Sequence, residues 1–322
     1  MIRLSHLIFF LGLIWGTSDS FGKKPDQIRI GICTDVHLNL MHDSELRLST
    51  FIGAMNKAKP DFIIEMGDFV TPDKKFASYF DTWNLFQGDK YHVIGNHETD
   101  GGFSKNQVLE SRRMNHPYYS FDKNGFHFIV LDGNDKKSPD TKPYYRLIGP
   151  EQMAWLKSNL AETIHPVVLF SHQGLFALDG EDGGSVENYR EVQEILDSHN
   201  LHHPEKRVIA CFNGHTHFDY AQNIKGIWYI TITSMSYHWL GEKYAQIRYS
   251  DEIDKKFPWI KMTAPFKDPL FTVVEISKKR TIRVAGKKSV WVGPSPWELG
   301  YPDKFKKYMR PEITGRKLKF EL

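Results

Sequence analysis

Short apolar runs, each closed by polar residues, constrain the fold more than any other feature of the chain. They are IRIGICTD (28–35), DFIIEMGD (61–68), YHVIGNH (91–97), FHFIVLD (126–132), VVLFSH (167–172) and VIACFNGH (208–215). Runs of this length, rich in Ile, Val and Phe, read as buried strands. Helical patterns lie between them. DSELRLSTFIGAMNKAK is one, stopped by Pro60; GPEQMAWLKSNLAET is another, with Pro150 at its start and Met153, Leu156 and Leu160 on one face. SVENYREVQEILDSHN repeats the pattern with Val192, Ile195 and Leu196. Strand alternating with helix implies α/β layering. From residue 226 the pattern becomes IWYITITS, YAQIRYS, FTVVEIS and TIRVAGK, which predicts a second sheet or an antiparallel extension of the first.

The two ends differ from this middle. MIRLSHLIFFLGLIWGTSDS has a basic start at Arg3, an apolar stretch from Leu7 to Trp15, then Gly16, Thr17, Ser18 and Ser20. That layout predicts a secretory signal peptide over 1–20, too short in its apolar part to span a bilayer, so an exported chain, periplasmic or extracellular, with no transmembrane segment once mature. No Asn-x-Ser/Thr sequon occurs. The end of the chain, YPDKFKKYMRPEITGRKLKFEL, carries seven Lys/Arg against three acidic residues. It predicts a basic extension over 291–322, solvated or loosely packed, beyond a catalytic domain of 27–290. The whole-chain balance of +3 is too mild for nucleic-acid binding, which calls for a clustered basic stripe. Two cysteines cannot build a disulfide framework, and Cys33 and Cys211, each inside an apolar run, read as buried thiols.

The strand ends carry the chemistry. They finish at Asp35-Val36-His37, Gly67-Asp68, Gly95-Asn96-His97-Glu98, Ser171-His172-Gln173 and Gly214-His215-Thr216-His217. Ligands in open α/β sheets gather outside the carboxyl ends of strands, so these groups are delivered to one edge. On an extended chain residues two apart point the same way, which would let Asp35 with His37, and His215 with His217, act together. Two carboxylates, four imidazoles and one amide exceed what one divalent ion uses and suit two ions such as Mn, Fe or Zn. Taken singly, each residue could equally make turn hydrogen bonds. The set in this order is what a metal centre requires.

The ordered pattern D-x-H, G-D, G-N-H-E, a lone His and G-H-x-H resembles the calcineurin-like metallophosphoesterase superfamily, from about residue 28 to 240. The resemblance implies a four-layer α/β sandwich, two mixed β-sheets flanked by helices. It implies that Asp35, His37 and His217 hold one metal, that Asn96, His172 and His215 hold the other, and that Asp68 bridges them. It implies a phosphoesterase acting on a small phosphorylated substrate through a hydroxide shared by the metals. His97 would be the general acid, and Asn96 would also steady the phosphate. Glu98 and Asp100 are either its supporting partners or solvent-facing turn residues.

GDFVTPD departs from the G-D-x-x-D-R-G of protein phosphatases, and Thr71 stands where purple acid phosphatases place a Tyr ligand. The carboxylate orienting His97 is therefore unassigned. GNHE, YYSF (118–121), IVLD, EQMAWL, SHQ, EN (187–188) and CFNGHTH look closer to class III cyclic-nucleotide phosphodiesterases and Mn-dependent ADP-ribose/CDP-alcohol diphosphatases. That similarity implies a phosphodiester or nucleotide-like substrate. A phosphomonoesterase and a non-catalytic binding scaffold are the alternatives. Arg112 and Arg113 are candidate phosphate partners, or charge on a helix surface. Tyr118 and Tyr119, or the YHW at 237–239, could stack a base, or pack a core. LDGEDGGSVEN (178–188) is a candidate lid or a plain loop, and no P-loop signature is present.

Overall fold

The computed structural model describes residues 27–136, 144–178 and 184–321. The signal peptide expected over 1–20 lies outside them, as does the middle of the 178–188 loop. In chain order the main elements are β1 (Gln27–Cys33), α1 (Ser44–Ala58), β2 (Phe62–Glu65), α2 (Ala77–Asn84), β3 (Asp89–His92), α3 (Lys105–Arg112), β4 (Tyr119–Lys123) and β5 (Phe126–Leu131). Then come α4 (Pro150–Glu162), β6 (Val167–Ser171), α5 (Tyr189–His202), β7 (Val208–Asn213), β8 (Tyr220–Ile224), β9 (Ile227–Thr231) and β10 (Tyr237–Trp239). The last part contains α6 (Asp251–Lys256), β11 (Thr263–Pro265), β12 (Thr272–Ser277), β13 (Thr281–Val284), β14 (Lys287–Lys288), β15 (Glu312–Ile313) and β16 (Arg316–Lys319).

Among the described residues there are two six-stranded sheets, ordered β16-β13-β12-β1-β2-β3 and β4-β5-β6-β7-β9-β8. Both are mixed. β1, β2 and β3 run parallel, as do β5, β6, β7 and β9, while β12, β13 and β16 of the first sheet and β4 and β8 of the second join antiparallel. The alternation along each strand explains the layering. Ile28, Ile30, Ile32, Phe62 and Ile64 of the first sheet meet Phe128, Val130, Phe170, Phe212 and Ile230 of the second in one core. The opposite faces are covered by helices. Leu48, Phe51, Ile52 and Met55 of α1, with Trp83 of α2, pack on Cys33 and Ile63. Leu156 and Leu160 of α4, with Val192 and Leu196 of α5, pack on Ile129, Leu169 and Cys211. Strands buried on both faces need apolar residues at nearly every position, which is why they appeared as unbroken runs. The result is helix, sheet, sheet, helix.

Two segments differ from their sequence-based expectation. YAQIRYS (244–250) is not a strand: it follows a short 3-10 turn and leads into α6. Its Arg248 is buried and donates to the carbonyl of Val292 (3.2 Å) and to that of Pro294 (2.5 Å). The basic end of the chain is not loose. β16 adds to the edge of the first sheet beside β13, and Tyr308, Met309, Ile313 and Phe320 are buried. Asp219, itself 2% exposed, anchors it by accepting from both terminal nitrogens of Arg316 (2.7 and 2.9 Å) and from the Thr314 backbone (3.0 Å). Among the described residues no helix is long and apolar enough to cross a membrane.

Candidate metal centre

The strand ends turn inward through an uncommon backbone. Asp35, His37, Asp68, His215 and His217 all have positive φ, between 49° and 67°. The D-x-H and H-x-H pairs therefore do not act as extended dipeptides. Left-handed geometry at each outer residue bends the chain so that both side chains enter the same space. Bulky residues rarely adopt this conformation unless the surroundings impose it. Here the imposition is visible: past the end of the β1–β2 ladder, the backbone N–H of Asp35, His37 and Leu38 donate to the carbonyls of Gly67, Asp68 and Phe69 at 2.9, 2.9 and 3.0 Å. Two glycines allow the approach. A Cβ at Gly95 would collide with Asp68 Oδ1, and one at Gly214 would collide with Asp35 Oδ2.

The outcome is two groups of three ligand atoms, Asp35 with His37 and His217, and Asp68 with His172 and His215, each within 4.8 Å. His217 Nε2 lies 3.2 Å from Asp35 Oδ1, and His37 Nε2 lies 3.4 Å from His217 Nε2. In the second group His172 Nε2 is 3.1 Å from Asp68 Oδ2 and 3.2 Å from His215 Nδ1. Asp68 Oδ2 is also 3.8 Å from His37 Nε2, so this one oxygen lies between the groups. The outward nitrogens are occupied: His172 Nδ1 donates to the Met66 carbonyl (2.8 Å) and His217 Nδ1 to the Tyr237 carbonyl (2.7 Å). Such bonds fix the tautomer that presents Nε2 as a ligand. His37 is held by stacking on the Tyr237 ring, with centroids 5.0 Å apart.

The donor set fits a pair of divalent cations. Asp35 Oδ1 and Asn96 Oδ1 are buried without a hydrogen-bond partner among the described residues. A buried carboxylate oxygen left bare is costly unless something positive meets it. The packed imidazoles and carboxylates polarise one another strongly. Burial pushes Asp35 up, but the imidazoles of His217 and His172 outweigh it and hold the carboxyl at about 2. Burial would also lower His172, yet the carboxylates of Asp68 and Asp35 raise it to about 10. His37 and His215 are lowered to about 3, chiefly by burial.

His97 stands at the cavity edge beside these groups. Its backbone N–H donates to Asp68 Oδ1 (2.9 Å), and its Nδ1 pairs with Asp100 Oδ2 at 2.7 Å. The carboxylate that orients His97 is thus Asp100, which also accepts from the Tyr144 hydroxyl at 2.7 Å. Burial lowers His97, but Asp68 and then Asp100 raise it to about 9. Glu98 faces inward, fully buried. It accepts from the Phe69 backbone (2.8 Å) and pairs with Arg112 at 3.2 Å. Glu65, on the other side of the turn, accepts from the Gly67 backbone (2.8 Å) and from His92 (2.8 Å). Two carboxylates therefore clamp the turn that carries Asp68. Nothing in the local sequence of Glu65 marks this role; only its position two residues before a Gly-Asp turn is a hint.

The substrate-facing expectations for four residues do not match their placement. Arg112 is buried, donating to the Val70 carbonyl (2.7 Å) and bound to Glu98, so it supports the Asp68 turn from behind. Arg113 caps α3 with positive φ and lines a separate depression with Pro72 and His92. Tyr119 exchanges hydrogen bonds with the His92 backbone, and Tyr118 packs on Trp155 at 4.9 Å. None of the four lines the cavity of the centre. That cavity includes His37, Asp68, His97, His215 and His217, and it continues past Tyr237 and Trp239 toward Trp259, Tyr301 and Phe305.

Residues 28–219, more than half of the chain, match the model of the calcineurin-like phosphoesterase family. The comparison with curated proteins gives no match. Among solved structures, a dimetal phosphatase from Danio rerio is similar at TM-score 0.61 and 15% identity, covering 83% of this chain and 99% of that one. GAP50, the anchor in the inner membrane complex of Plasmodium, is similar at TM-score 0.56 and 15% identity, covering 92% and 89%. At such identity these two likenesses bear on the fold.

Proposed function

The chain belongs to the calcineurin-like phosphoesterase family and is a metal-dependent phosphoric ester hydrolase; on that premise we propose that it is exported and hydrolyses small phosphodiester or nucleotide-like substrates with two divalent ions. In this reading Asp35, His37 and His217 hold one ion, Asn96, His172 and His215 the other, and Asp68 serves both. One observation carries it: two three-residue groups each send two members into one cavity, and a single Asp68 oxygen lies within 4 Å of an imidazole from each. When bound, the ions supply an ionised water at neutral pH and neutralise phosphate oxygens.

The chain's own residues supply the rest. Only two of the seven donors are carboxylates, so the centre stays net positive and attracts an anionic ester. Asp100 holds the His97 ring and keeps its Nδ1 occupied, leaving Nε2 to give a proton to the departing alcohol. The Glu65 and Glu98 clamps hold the Asp68 turn against the pull of two cations. Export is supported by the order basic residue, apolar stretch, small residues in 1–20.

Purified protein loaded with Mn should hydrolyse bis-p-nitrophenyl phosphate faster than p-nitrophenyl phosphate. His217→Ala should lower that rate on the order of 10³-fold or more, because one ion loses a ligand. The active chain recovered from the exported fraction of a host should begin beyond Gly16. Undiminished turnover by the variant, or a monoester rate that exceeds the diester rate, would refute the corresponding part of this reading.

A further inference from the structure

The cavity is larger than a phosphate needs. It measures about 780 Å³, inside the ~300–1,000 Å³ of small-molecule sites. Beyond the metal-binding side its wall is aromatic and comes from the last third of the chain: Trp239, Trp259, Tyr301 and Phe305. Phe218, the neighbour of His217, ties this wall to the centre by packing on Phe305 with centroids 5.8 Å apart. Tyr301 packs on Phe305 (5.9 Å) and on Tyr244 (4.9 Å), so the wall is fixed before any ligand arrives. Trp239 and Trp259 are different. They remain 45% and 58% exposed, two indoles left open to solvent on the rim of one cavity.

Charge narrows the ligand further. Among the described residues no lysine or arginine lines this cavity, and its carboxylates are Asp68 and Asp100, the phenols of Tyr144, Tyr237 and Tyr301 being neutral at ordinary pH. The centre can neutralise one phosphate. Among the described residues no cation lines the aromatic side to neutralise a second, the Lys304 ammonium there being placed over the Phe305 ring at 4.9 Å from its centroid, and Asp100 would repel it. Indole and phenol faces stack well on planar rings, whereas an aliphatic chain gains only buried area there.

Resting on the phosphoesterase reading above, we propose that the site takes esters of a single phosphate whose alcohol carries a flat, uncharged aromatic ring, stacked on Trp239 and Trp259, and that it selects against ligands with a second phosphate. The residues from 237 to 309 then set specificity, while those from 35 to 217 set reactivity.

The test compares p-nitrophenyl esters with one leaving group and different second alcohols: thymidine 5′-(p-nitrophenyl) phosphate, the methyl ester and the hexyl ester. The thymidine ester should have the highest kcat/KM, mainly through KM. Trp259→Ala and Trp239→Ala should each cut the thymidine-to-methyl ratio about ten-fold or more, the amount expected from losing one stacking face. Trp259→Phe should restore much of it. Binding is read separately: thymidine 5′-monophosphate should quench tryptophan fluorescence, and the diphosphate should bind no more tightly. A hexyl ester as good as the thymidine ester, ratios unmoved by the tryptophan variants, or tighter binding of the diphosphate would each overturn the proposal. If no ester is cleaved with Mn, Fe or Zn, the phosphoesterase reading fails, and the quenching experiment still decides whether the aromatic wall binds a ring.

Discussion

The metal-binding side and the aromatic side of the cavity are built on opposite principles. The first brings six ligand side chains together from the strand ends, sets five of them, Asp35, His37, Asp68, His215 and His217, on left-handed backbone and holds the turns with buried hydrogen bonds. The second takes side chains from turns and short strands after residue 237, and offers ring faces that stay partly exposed. Cation ligation tolerates errors of a few tenths of an ångström, so every member of the first set matters. Stacking depends on area and orientation, so members of the second set act by degrees. The comparison teaches that chemistry and selectivity sit on separable parts of the chain, joined at Phe218 and Asp219.

Cutting that joint is the strongest way to break the comparison. Asp219 is buried and holds the end of the chain through Arg316 and Thr314, with its own backbone N–H donating to the Tyr308 carbonyl at 3.0 Å. Asp219→Ala leaves Arg316 without its carboxylate, and removing one partner of a largely buried pair costs about 3 kcal/mol. A lowered denaturation midpoint should therefore accompany a reduced thymidine-to-methyl ratio, with metal content measured by elemental analysis unchanged. Loss of both metals in this variant would show that the two sides are one unit.

A smaller effect is expected from Asp100, which holds the His97 ring and accepts from the Tyr144 hydroxyl at the cavity edge. Asp100→Ala should lower kcat about ten- to hundred-fold for esters of alkyl alcohols, whose departure needs a proton. Esters of p-nitrophenol, a stable anion, should be affected less. The measurement is the dependence of kcat on leaving-group pKa, which should steepen in the variant. An equal loss for every ester would mean that Asp100 merely shapes the loop.

How much of this was legible follows the same division. The strand ends were legible because buried strands give unbroken apolar runs, and the polar residues that close them, each explicable singly by a turn, fall together in the order D-x-H, G-D, G-N-H-E, His and G-H-x-H. The left-handed backbone at Asp35 and His37 was not, because it arises from hydrogen bonds to the neighbouring 67–69 turn, which no local preference encodes. Arg112 read as a phosphate partner or as charge on a helix surface, since its partners Glu98 and the Val70 carbonyl lie on other turns. The end of the chain misled by its charge. The alternation through Arg316, Lys317, Leu318, Lys319 and Phe320 is an edge-strand pattern, with lysines on the open face and apolar residues on the covered one. YAQIRYS alternates too, but its arginine is the buried member, fixed by two loop carbonyls. The aromatic wall was visible only as the YHW at 237–239, since Trp259 and Tyr301 join it through tertiary structure.

The smallest effect is expected at the cysteines, and it tests whether the centre also holds the sheets together. Cys33 lies two residues before Asp35, and Cys211 lies in β7 just before the turn of His215, yet neither faces the cavity. Both are free and buried against the helices on the outer faces of the sheets. Burial pushes both thiols up, with the Glu65 and Asp35 carboxylates adding to the effect at Cys33. A thiol shifted upward and shielded is a poor nucleophile at neutral pH. Iodoacetamide should therefore leave the folded protein unlabelled and label both sites in denaturant. Chelation should not change this, because the strands are secured by the core between the sheets and by α1, α4 and α5, not by the ions at their ends. Labelling of Cys33 on chelation alone would show that the ligand turns need the cations to stay closed, and that the end of β1 opens with them.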